Sequence, residues 1–284
     1  MAVPDPTAPW FGLDSETLRF LEVHQARALA IPGRGWRDLG DAVMLYSVQE
    51  EDPFFNRLVG VRWPSDRAAF DARLDEVCEL FAALQRTPHV WAIPGLSEPH
   101  DLIGRLAARG FSDRGGGFDM VLVRESDPAT PPLPDGAVVE HWNRLTDAEI
   151  PGRADVLARV VAESFEVPME RHANLVREIG LTLGRPDFHA YVVAIDGEPV
   201  ATGQRYTFDG ASYLSSIGTR PKWRGRGLAE HLTRRLAADS LGDGVRLVYL
   251  GVYADNAAAI KLYEKLGFAI LGGRSADMLQ IRSK

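Results

Sequence analysis

The sequence contains one short pattern twice, and this repeat restricts the chain to folds built from two related halves. Leu106-Ala-Ala-Arg-Gly-Phe111 resembles Tyr263-Glu-Lys-Leu-Gly-Phe268, and an Asp-Met pair follows each copy. The two phenylalanines lie 157 positions apart, and the same offset places Pro64 on Pro221. Most other positions differ, and the apolar phase of the helix between them slips by about one residue. Because self-similarity at a fixed offset indicates duplication, we interpret the chain as two copies of one fold.

A proline-rich stretch separates the two copies. Residues 126–136 contain four prolines, which cannot continue a helix or a central strand, so this stretch is typical of an extended linker. At about 150 residues per domain, 284 residues are enough for two domains. We predict a first domain over 1–125, a linker over 126–136 and a second domain over 137–284.

Apolar periodicity and turn residues predict both helices and strands in each half. In the first half we expect helices at 15–29, 66–84 and 97–109, the last with Ser97 as N-cap, and strands at 42–48, 57–61, 89–93 and 118–123. In the second half we expect helices at 147–165, 169–179, 227–240 and 257–266. We expect strands there at 137–141, 189–195, 200–208, 212–219, 247–252 and 268–281, and a break of the last strand at Gly272-Gly273 stays open. The pairs Asp196-Gly197 and Asp209-Gly210 favour tight hairpins. The predicted fold class is α+β, with two domains that each hold a mixed, largely antiparallel twisted sheet flanked by helices.

Charge and cysteine content exclude several classes of function. The net charge is −7 and no basic block is present, which argues against a nucleic acid partner. Cys78 is the only cysteine, so an internal disulfide and a multi-cysteine metal site are excluded, and a reducing compartment is favoured. Apolar runs are too short to cross a membrane, and residues 1–10 lack a secretory signal. We therefore predict a cytoplasmic protein with neither a membrane partner nor a metal.

The segment between the predicted strand at 212–219 and the next helix has features of an anion site. Gly225 and Gly227 allow the backbone to approach a ligand closely, and the N–H groups at a helix N-terminus attract phosphate. Arg224 and Arg226 add positive charge. The alternative interpretation is a tight turn between a strand and a helix that carries two surface arginines.

A second segment makes the pattern specific. Leu250-Gly-Val-Tyr-Ala-Asp-Asn256 and the following helix through Tyr263-Glu-Lys-Leu-Gly267-Phe268 resemble the second half of the signature of GNAT N-acetyltransferases. Arg224-x-x-Gly-x-Ala229 resembles the acyl-CoA pyrophosphate loop of the same family. The resemblance covers 137–281, and the first half resembles the fold only loosely. It implies a tandem member with two GNAT-like domains and a degenerate N-terminal copy.

The resemblance also implies a co-substrate and the residues that hold it. Acetyl-CoA would donate an acetyl group by direct attack of a small-molecule amine in a ternary complex. The strand before the loop would pair with the pantetheine arm, a backbone N–H there would polarise the thioester carbonyl, and the fourth and fifth strands would splay apart. The residues assigned to the co-substrate in this way are Ile217, Gly218, Thr219, Arg224, Gly225, Arg226, Gly227, Leu228, Ala229 and Asn256.

Tyr263 is the catalytic residue that the resemblance implies, as the general acid that protonates the leaving thiolate. Its structural alternative is a core tyrosine, and Asn256 could equally be a helix cap. The strand before the loop contains no Asp or Glu. Glu163, Glu166 and His231 are therefore candidates for the base, as is a water relay, and the base stays unassigned.

The chemical positions of the second half have no counterparts in the first. At the offset of 157, Gly225 and Gly227 fall on Ala68 and Phe70, and Tyr263 falls on Leu106. The first half is therefore predicted to be a non-catalytic copy. Two alternatives to a small-molecule acetyltransferase stay open, namely a non-catalytic acyl-CoA-binding or regulatory module and a protein lysine acetyltransferase.

Overall fold

The first half of the chain alternates helices with short strands. The computed structural model describes residues 15–123 and 131–281. In the first of these stretches the elements are α1 Ser15–Ala28, β1 Arg34–Asp38, β2 Val43–Ser47, β3 Arg57–Val59, α2 Arg67–Ala83, β4 His89–Ala92, α3 Leu102–Ala108, β5 Phe111–Asp113 and β6 Gly117–Leu122.

The second half begins with a helical pair and continues with long antiparallel strands. Its elements are β7 Ala137–Trp142, α4 Ile150–Phe165, α5 His172–Leu183, β8 Phe188–Ile195, β9 Glu198–Phe208, β10 Ala211–Thr219, α6 Leu228–Gly242, β11 Leu247–Tyr253, α7 Ala257–Lys265, β12 Phe268–Leu271 and β13 Ala276–Gln280. The two predicted Asp-Gly hairpin turns are confirmed, because all four residues have φ between 49° and 82°. This left-handed backbone matches the twist of the flanking strands.

The strands form two sheets that exchange one strand each. The order is β1-β2-β3-β4-β13-β5 in the six-stranded sheet and β12-β6-β11-β10-β9-β8-β7 in the seven-stranded sheet. Our sequence interpretation places the strand at 118–123 in the sheet of the first half, which is wrong because β6 lies in the seven-stranded sheet. It keeps 268–281 in the sheet of the second half, which is correct for β12 and wrong for β13, and the strand breaks between the two at Gly272-Gly273. Apolar alternation fixes which face of a strand is buried but carries no information about which sheet receives it. The predicted class, two mixed and largely antiparallel sheets flanked by helices, is confirmed.

The chain divides into two compact units that are not continuous in sequence. Within the described residues, one unit contains 15–120, 252–260 and 269–281, and the other contains 121–123, 131–251 and 261–268. The core of the first unit packs apolar residues of α2 and α3 against the six-stranded sheet, among them Phe70, Phe81 and Leu106. The boundaries predicted at 125 and 137 stay a prediction, and residues 124–130 of that stretch lie outside the described part.

One predicted helix start is wrong. Ser97 does not cap α3, because its hydroxyl accepts a hydrogen bond from the N–H of Ile93 at 2.9 Å and closes a turn. The helix begins five residues later, at Leu102. The residue type was read correctly as a local acceptor, but the same chemistry serves turns as well as helix caps.

In the second unit, α4 and α6 lie on opposite faces of the seven-stranded sheet. A β-carbon placed on Gly203 of β9 would meet Leu236 of α6 at 2.7 Å. A β-carbon placed on Gly218 of β10 would meet Ser164 of α4 at the same distance. Gly218 pairs with Thr202, the neighbour of Gly203, and successive strand residues face opposite sides. This arrangement leaves β9 and β10 covered by one helix on each face.

A hydrogen-bonded histidine pair lies on the α6 face. His141 Nε2 and His189 Nδ1 are 2.9 Å apart, and the guanidinium of Arg205 lies 3.3 Å from the same Nδ1. A guanidinium only donates, so His189 Nδ1 accepts and His141 Nε2 donates. Burial and the positive charges of Arg205 and His141 lower the pKa of His189 to about 4. His189 is therefore neutral in the folded protein across the neutral range.

We predict that this pair makes the fold sensitive to acid. The unfolded chain binds a proton at His189 near pH 6.5 that the folded chain excludes down to about pH 4, so the free energy of unfolding falls as the pH drops through this window. Because the ring is partly exposed and solvent screens its charge, we expect the free energy of unfolding to fall by on the order of 2 kcal/mol. Urea denaturation at pH 7 and pH 4.5 measures it. His189→Gln should lose less stability than the wild type, whereas exposed His100→Gln should lose as much; equal losses in all three proteins would contradict the assignment.

Candidate functional site

The pairing between β10 and β11 stops halfway along β10. The two strands run parallel and pair from Ala211 with Leu247 to Leu214 with Leu250. Beyond this point β10 continues to Thr219 with no further partner on β11. The end of this pairing fits the splay of the fourth and fifth strands that the resemblance implies, and it opens a gap beside the last residues of β10.

A bulge occupies β10 where the pairing with β11 ends. The register with β9 shifts between Ser215 and Gly218, and Ser216 takes a left-handed backbone conformation with φ 49°. Ile217 turns towards Gly203 and α6, and Gly218 faces α4. A bulge redirects the backbone out of the ladder. Of the predicted pantetheine strand, Ile217 lies in the bulge, whereas Gly218 and Thr219 pair with Thr202 and Ala201 of β9 and have no partner on β11.

The loop after β10 ends in an uncapped helix N-terminus. Gly225 and Gly227 have φ of 77° and 76°, and residues other than glycine adopt this backbone conformation only with strain. No described atom lies within 4 Å of where a β-carbon of either would be. Gly227 is the N-cap of α6, and no side chain bonds to the first N–H groups of the helix, which begins with Leu228 and Ala229. Free N–H groups, the positive end of the helix dipole and open space are what a phosphate group requires.

The two predicted loop arginines have different surroundings. Arg224 donates from its guanidinium to the carbonyls of Ser164, at 2.9 Å, and Thr219, at 3.2 Å. It therefore ties the loop to the end of α4 and of β10. Arg226 is exposed, and its guanidinium carbon lies 4.6 Å from the ring centre of Trp223. Of the two, Arg226 keeps the guanidinium that is open to an anion.

Arg220, which the sequence interpretation did not select, clamps the start of the loop. Its guanidinium forms two hydrogen bonds with the carboxylate of Glu163, at 2.6 and 2.9 Å, and another with Glu198 at 2.8 Å. Bidentate pairs of this kind fix geometry as well as charge. An arginine at the end of a strand has no sequence signature that separates a clamp from a surface charge.

A second ion pair cluster neutralises the acidic residue nearest the helix start. Glu230 in the first turn of α6 accepts hydrogen bonds from Lys265 at 2.7 Å and from Arg234 at 3.1 Å. These contacts, that of Lys265 above all, lower the pKa of Glu230 against a smaller opposing effect of burial. A carboxylate so paired repels an incoming phosphate less than a free one would.

Tyr263 lies inside the second unit on α7. Its side chain is buried, and its ring centre is 6.0 Å from that of Phe268. Burial raises the pKa of Tyr263 to about 12, so the phenol is protonated throughout the neutral range. No hydrogen-bond partner of its hydroxyl occurs among the described residues. The hydroxyl therefore keeps its proton available for a ligand.

Asn256 starts α7. Its side-chain carbonyl accepts a hydrogen bond from the N–H of Ala259 at 3.1 Å, which is the geometry of a helix cap. The capping alternative is thus realised, and the side-chain NH₂ group remains for any contact with a co-substrate.

Two of the three candidate bases are engaged. The Glu163 carboxylate is held by Arg220, and His231 Nδ1 lies 3.3 Å from the carbonyl of Pro131. Glu166 is exposed at the left-handed C-cap of α4, with φ 54°.

Across 15–123 and 131–281, no group of three His, Cys, Asp or Glu side chains could hold a metal ion, and no helix is long and apolar enough to cross a membrane.

The residues of this site lie within a stretch that matches a family model. Residues 156–268 match the model of the Acetyltransferase (GNAT) family. The chain is 29% identical over 148 residues to a mycothiol acetyltransferase of Actinosynnema mirum, which is 50% of this chain and 48% of that one. It is 33% identical over 152 residues to a mycothiol acetyltransferase of Streptomyces scabiei, 50% and 46% of the two chains. The chain thus spans about half the length of the curated relatives it matches.

The stretch that contains β9, the loop, α6 and Tyr263 lies within the residues that match the GNAT family model. Solved structures extend the likeness of fold to the whole chain. A tandem GNAT protein from the clavulanic acid biosynthesis pathway superposes with a TM-score of 0.62 at 18% identity, over 100% of this chain and 94% of that one. A GCN5-related N-acetyltransferase from Kribbella flavida gives a TM-score of 0.66 at 21% identity, over 94% and 96%. The protein has a tandem GNAT fold, with a GNAT-like N-terminal region as well.

Proposed function

We propose that this protein transfers an acetyl group from acetyl-CoA to the amine of a small molecule. The observation that carries the proposal is the uncapped, glycine-bounded N-terminus of α6 in a GNAT-family domain that also holds the buried phenol of Tyr263. A phosphate seat and a proton donor are the two parts that acyl transfer from a CoA thioester needs from the protein. The N-terminal half is proposed to be non-catalytic.

In the proposed mechanism the chain positions both reactants for direct attack in a ternary complex. Acetyl-CoA supplies an activated thioester. The N–H groups of Leu228 and Ala229 would hold the pyrophosphate, with Arg226 beside them, and Ile217 to Thr219 would hold the pantetheine arm through backbone hydrogen bonds. Arg224 would act indirectly, by keeping the loop against α4. The Asn256 NH₂ group would bind the same arm.

Tyr263 would complete the transfer by giving its proton to the sulfur as the carbon–sulfur bond breaks, and the proton that the attacking amine loses would return to the phenolate through water. Its raised pKa keeps the phenol protonated until that moment, and it also makes the phenol a weaker acid. Proton transfer from the phenol to sulfur is then driven by the negative charge that develops on the sulfur atom away from solvent. Glu163 is a poor candidate for the base because protonation would break its pair with Arg220.

Two other functions compete with this one. A non-catalytic acyl-CoA-binding module would need the loop but not Tyr263, and a protein lysine acetyltransferase would need a groove for a peptide. A screen decides among these functions. The protein and acetyl-CoA are incubated either with pools of small amines, including acceptors related to mycothiol, or with lysine peptides. Thiol release with small amines is the expected result. Release with peptides alone, or binding without release, would favour one of the alternatives.

We predict that one acetyl-CoA binds per chain. The N-terminal half has Ala68 and Phe70 where the loop has its glycines, so it lacks a second phosphate seat. Isothermal titration of the full chain should give a stoichiometry of about one. Two equivalent sites would contradict the proposal that the first half has lost its site.

The cytoplasmic location expected from the single cysteine belongs to the same proposal, and fractionation of cells tests it.

A further inference from the structure

Glu230 occupies a position from which a glutamate can close the N-terminus of its own helix. Gly227 is the N-cap of α6, so Glu230 is the third residue of the helix. A glutamate there commonly folds back and accepts a hydrogen bond from the N–H of the N-cap residue, in the arrangement called a capping box. The positive end of the helix dipole attracts its charge to the same place. The phosphate seat is at this helix end, so Glu230 is a built-in competitor for an incoming phosphate.

Two cations hold the Glu230 carboxylate in another position. Lys265 Nζ donates to Oε2 at 2.7 Å, and Arg234 Nη2 donates to Oε1 at 3.1 Å. Both oxygens are therefore engaged, and among the described residues no side chain caps the start of α6. Lys265 above all lowers the pKa of Glu230, against an opposing effect of burial, so the carboxylate is ionised at neutral pH. The seat is open while both contacts hold this charge away from it.

The two cations differ in how firmly they are placed. Arg234 is on α6 itself, one turn after Glu230, and its side chain is only 11% exposed. Lys265 is the last residue of α7, its side chain is 61% exposed, and its ammonium is a point charge on a flexible stem. The contact of Lys265 is also the one that joins the start of α6 to the helix that carries Tyr263. Of the two contacts, that of Lys265 is the one more easily lost.

We propose that Lys265 is a positioning residue for acetyl-CoA, which keeps the phosphate seat open by holding Glu230 away from the N-terminus of α6. This inference rests on the proposed acetyltransferase function. Lys265 acts through Glu230 and needs no contact of its own with the co-substrate. Without Lys265, the Glu230 carboxylate competes with the pyrophosphate for the first N–H groups of the helix.

Calorimetric titration with acetyl-CoA compares three variants with the wild type. Lys265→Met should raise the Kd by about 5- to 20-fold, because the freed carboxylate then shares the seat. Lys265→Arg restores a cation, so its Kd should stay within about twofold of the wild type. Combining Lys265→Met with Glu230→Ala removes the competitor as well, and the Kd should return to within about threefold of the wild type.

Lys261→Met is the matched control, because it removes the same charge from the same helix. Lys261 lies one turn before Lys265 on α7, is exposed, and forms no ion pair among the described residues. Its Kd for acetyl-CoA should stay within about twofold of the wild type. An equal loss in both lysine variants would mean that only the net charge of α7 matters.

A donor without phosphates separates the loss of the seat from a general loss of structure. S-acetylpantetheine carries the thioester and the pantetheine arm but no pyrophosphate. Lys265→Met should lower kcat/KM for acetyl-CoA by the same factor as it raises the Kd, and it should leave kcat/KM for S-acetylpantetheine unchanged. A merely structural role of Lys265 would lower both values.

Amide hydrogen exchange reports the movement of Glu230 without any ligand. The Gly227 amide should exchange more slowly in Lys265→Met than in the wild type, because Glu230 then accepts its hydrogen bond. The exchange should be fast again in the variant that also carries Glu230→Ala.

Any of five results would overturn the inference: an unchanged Kd in Lys265→Met, an equal loss in Lys261→Met, no recovery with Glu230→Ala, an equal fall of kcat/KM with both thioesters, or unchanged exchange at Gly227. Absence of acetyl-CoA binding to the wild type would overturn the proposed function and this inference together. Binding without acetylation of any amine in the screen would overturn the proposed function alone, because the Kd values and the amide exchange carry the inference.

Discussion

Replacing Tyr263 with phenylalanine is expected to lower the rate of acyl transfer by about 10²- to 10⁴-fold, the usual contribution of a positioned proton donor. The change keeps the ring that packs near Phe268 and removes only the hydroxyl, which has no partner among the described side chains. Stability and acetyl-CoA affinity should therefore change little. Single-turnover measurements of thiol release give the rate of the chemical step.

Tyr206→Phe is the matched control, because it removes the hydroxyl of another buried tyrosine, on β9, that has no assigned role. It should retain full turnover. The wild type should also show no loss of rate from ionisation of the phenol below about pH 12, since burial raises the pKa of Tyr263 to about that value. Full turnover of Tyr263→Phe, measured where acyl transfer limits the rate, would remove this residue from the mechanism and leave protonation of sulfur to solvent.

Replacing Gly227 with valine is expected to weaken acetyl-CoA binding by about 10- to 100-fold. Valine is strained at φ 76°, and its branched side chain would project into the open space above the first N–H groups of α6. The β-carbon meets no described atom within 4 Å, so the variant should fold. Calorimetric titration with acetyl-CoA measures the effect.

Gly210→Val separates strain from loss of the site. Gly210 has φ 78° in a hairpin turn, and a β-carbon there also meets nothing within 4 Å. Both variants therefore carry the same backbone strain, of about 1 to 2 kcal/mol. Only Gly227→Val should lose affinity. An unchanged Kd in a folded Gly227→Val protein would show that this loop is not the phosphate seat.

The sequence was most informative where one local pattern has one physical outcome. The Asp-Gly hairpins, the long helices at 67–83 and 228–242, and the glycines of the loop all follow from local chemistry that allows few alternatives. The resemblance in two segments supplied the class of fold. It also supplied Tyr263 and Asn256 as positions, although the capping bond of Asn256 was only one of two interpretations.

Features that depend on distant partners could not be predicted from the sequence. Arg220 and Glu163 are 57 residues apart, and nothing near either residue indicates that they meet. The Thr202 hydroxyl on β9 has no hydrogen-bond partner among the described residues, and this is a property of what surrounds it, because a threonine in another strand would be bonded to a neighbour or to water. The exchanged strands were missed for the same reason.

The exchange of strands has a consequence for how the protein is made. β13 lies between β4 and β5, and the N–H of Asp277 on it donates a hydrogen bond to the carboxylate of Asp113, 164 residues earlier. Translation proceeds from the N-terminus, so β13 is made after the other five strands of the six-stranded sheet. Until then the place between β4 and β5 is empty. An unfilled slot between two strands can accept the corresponding segment of a second nascent chain. Chaperone demand and entangled dimers are thus the expected costs of this topology during synthesis.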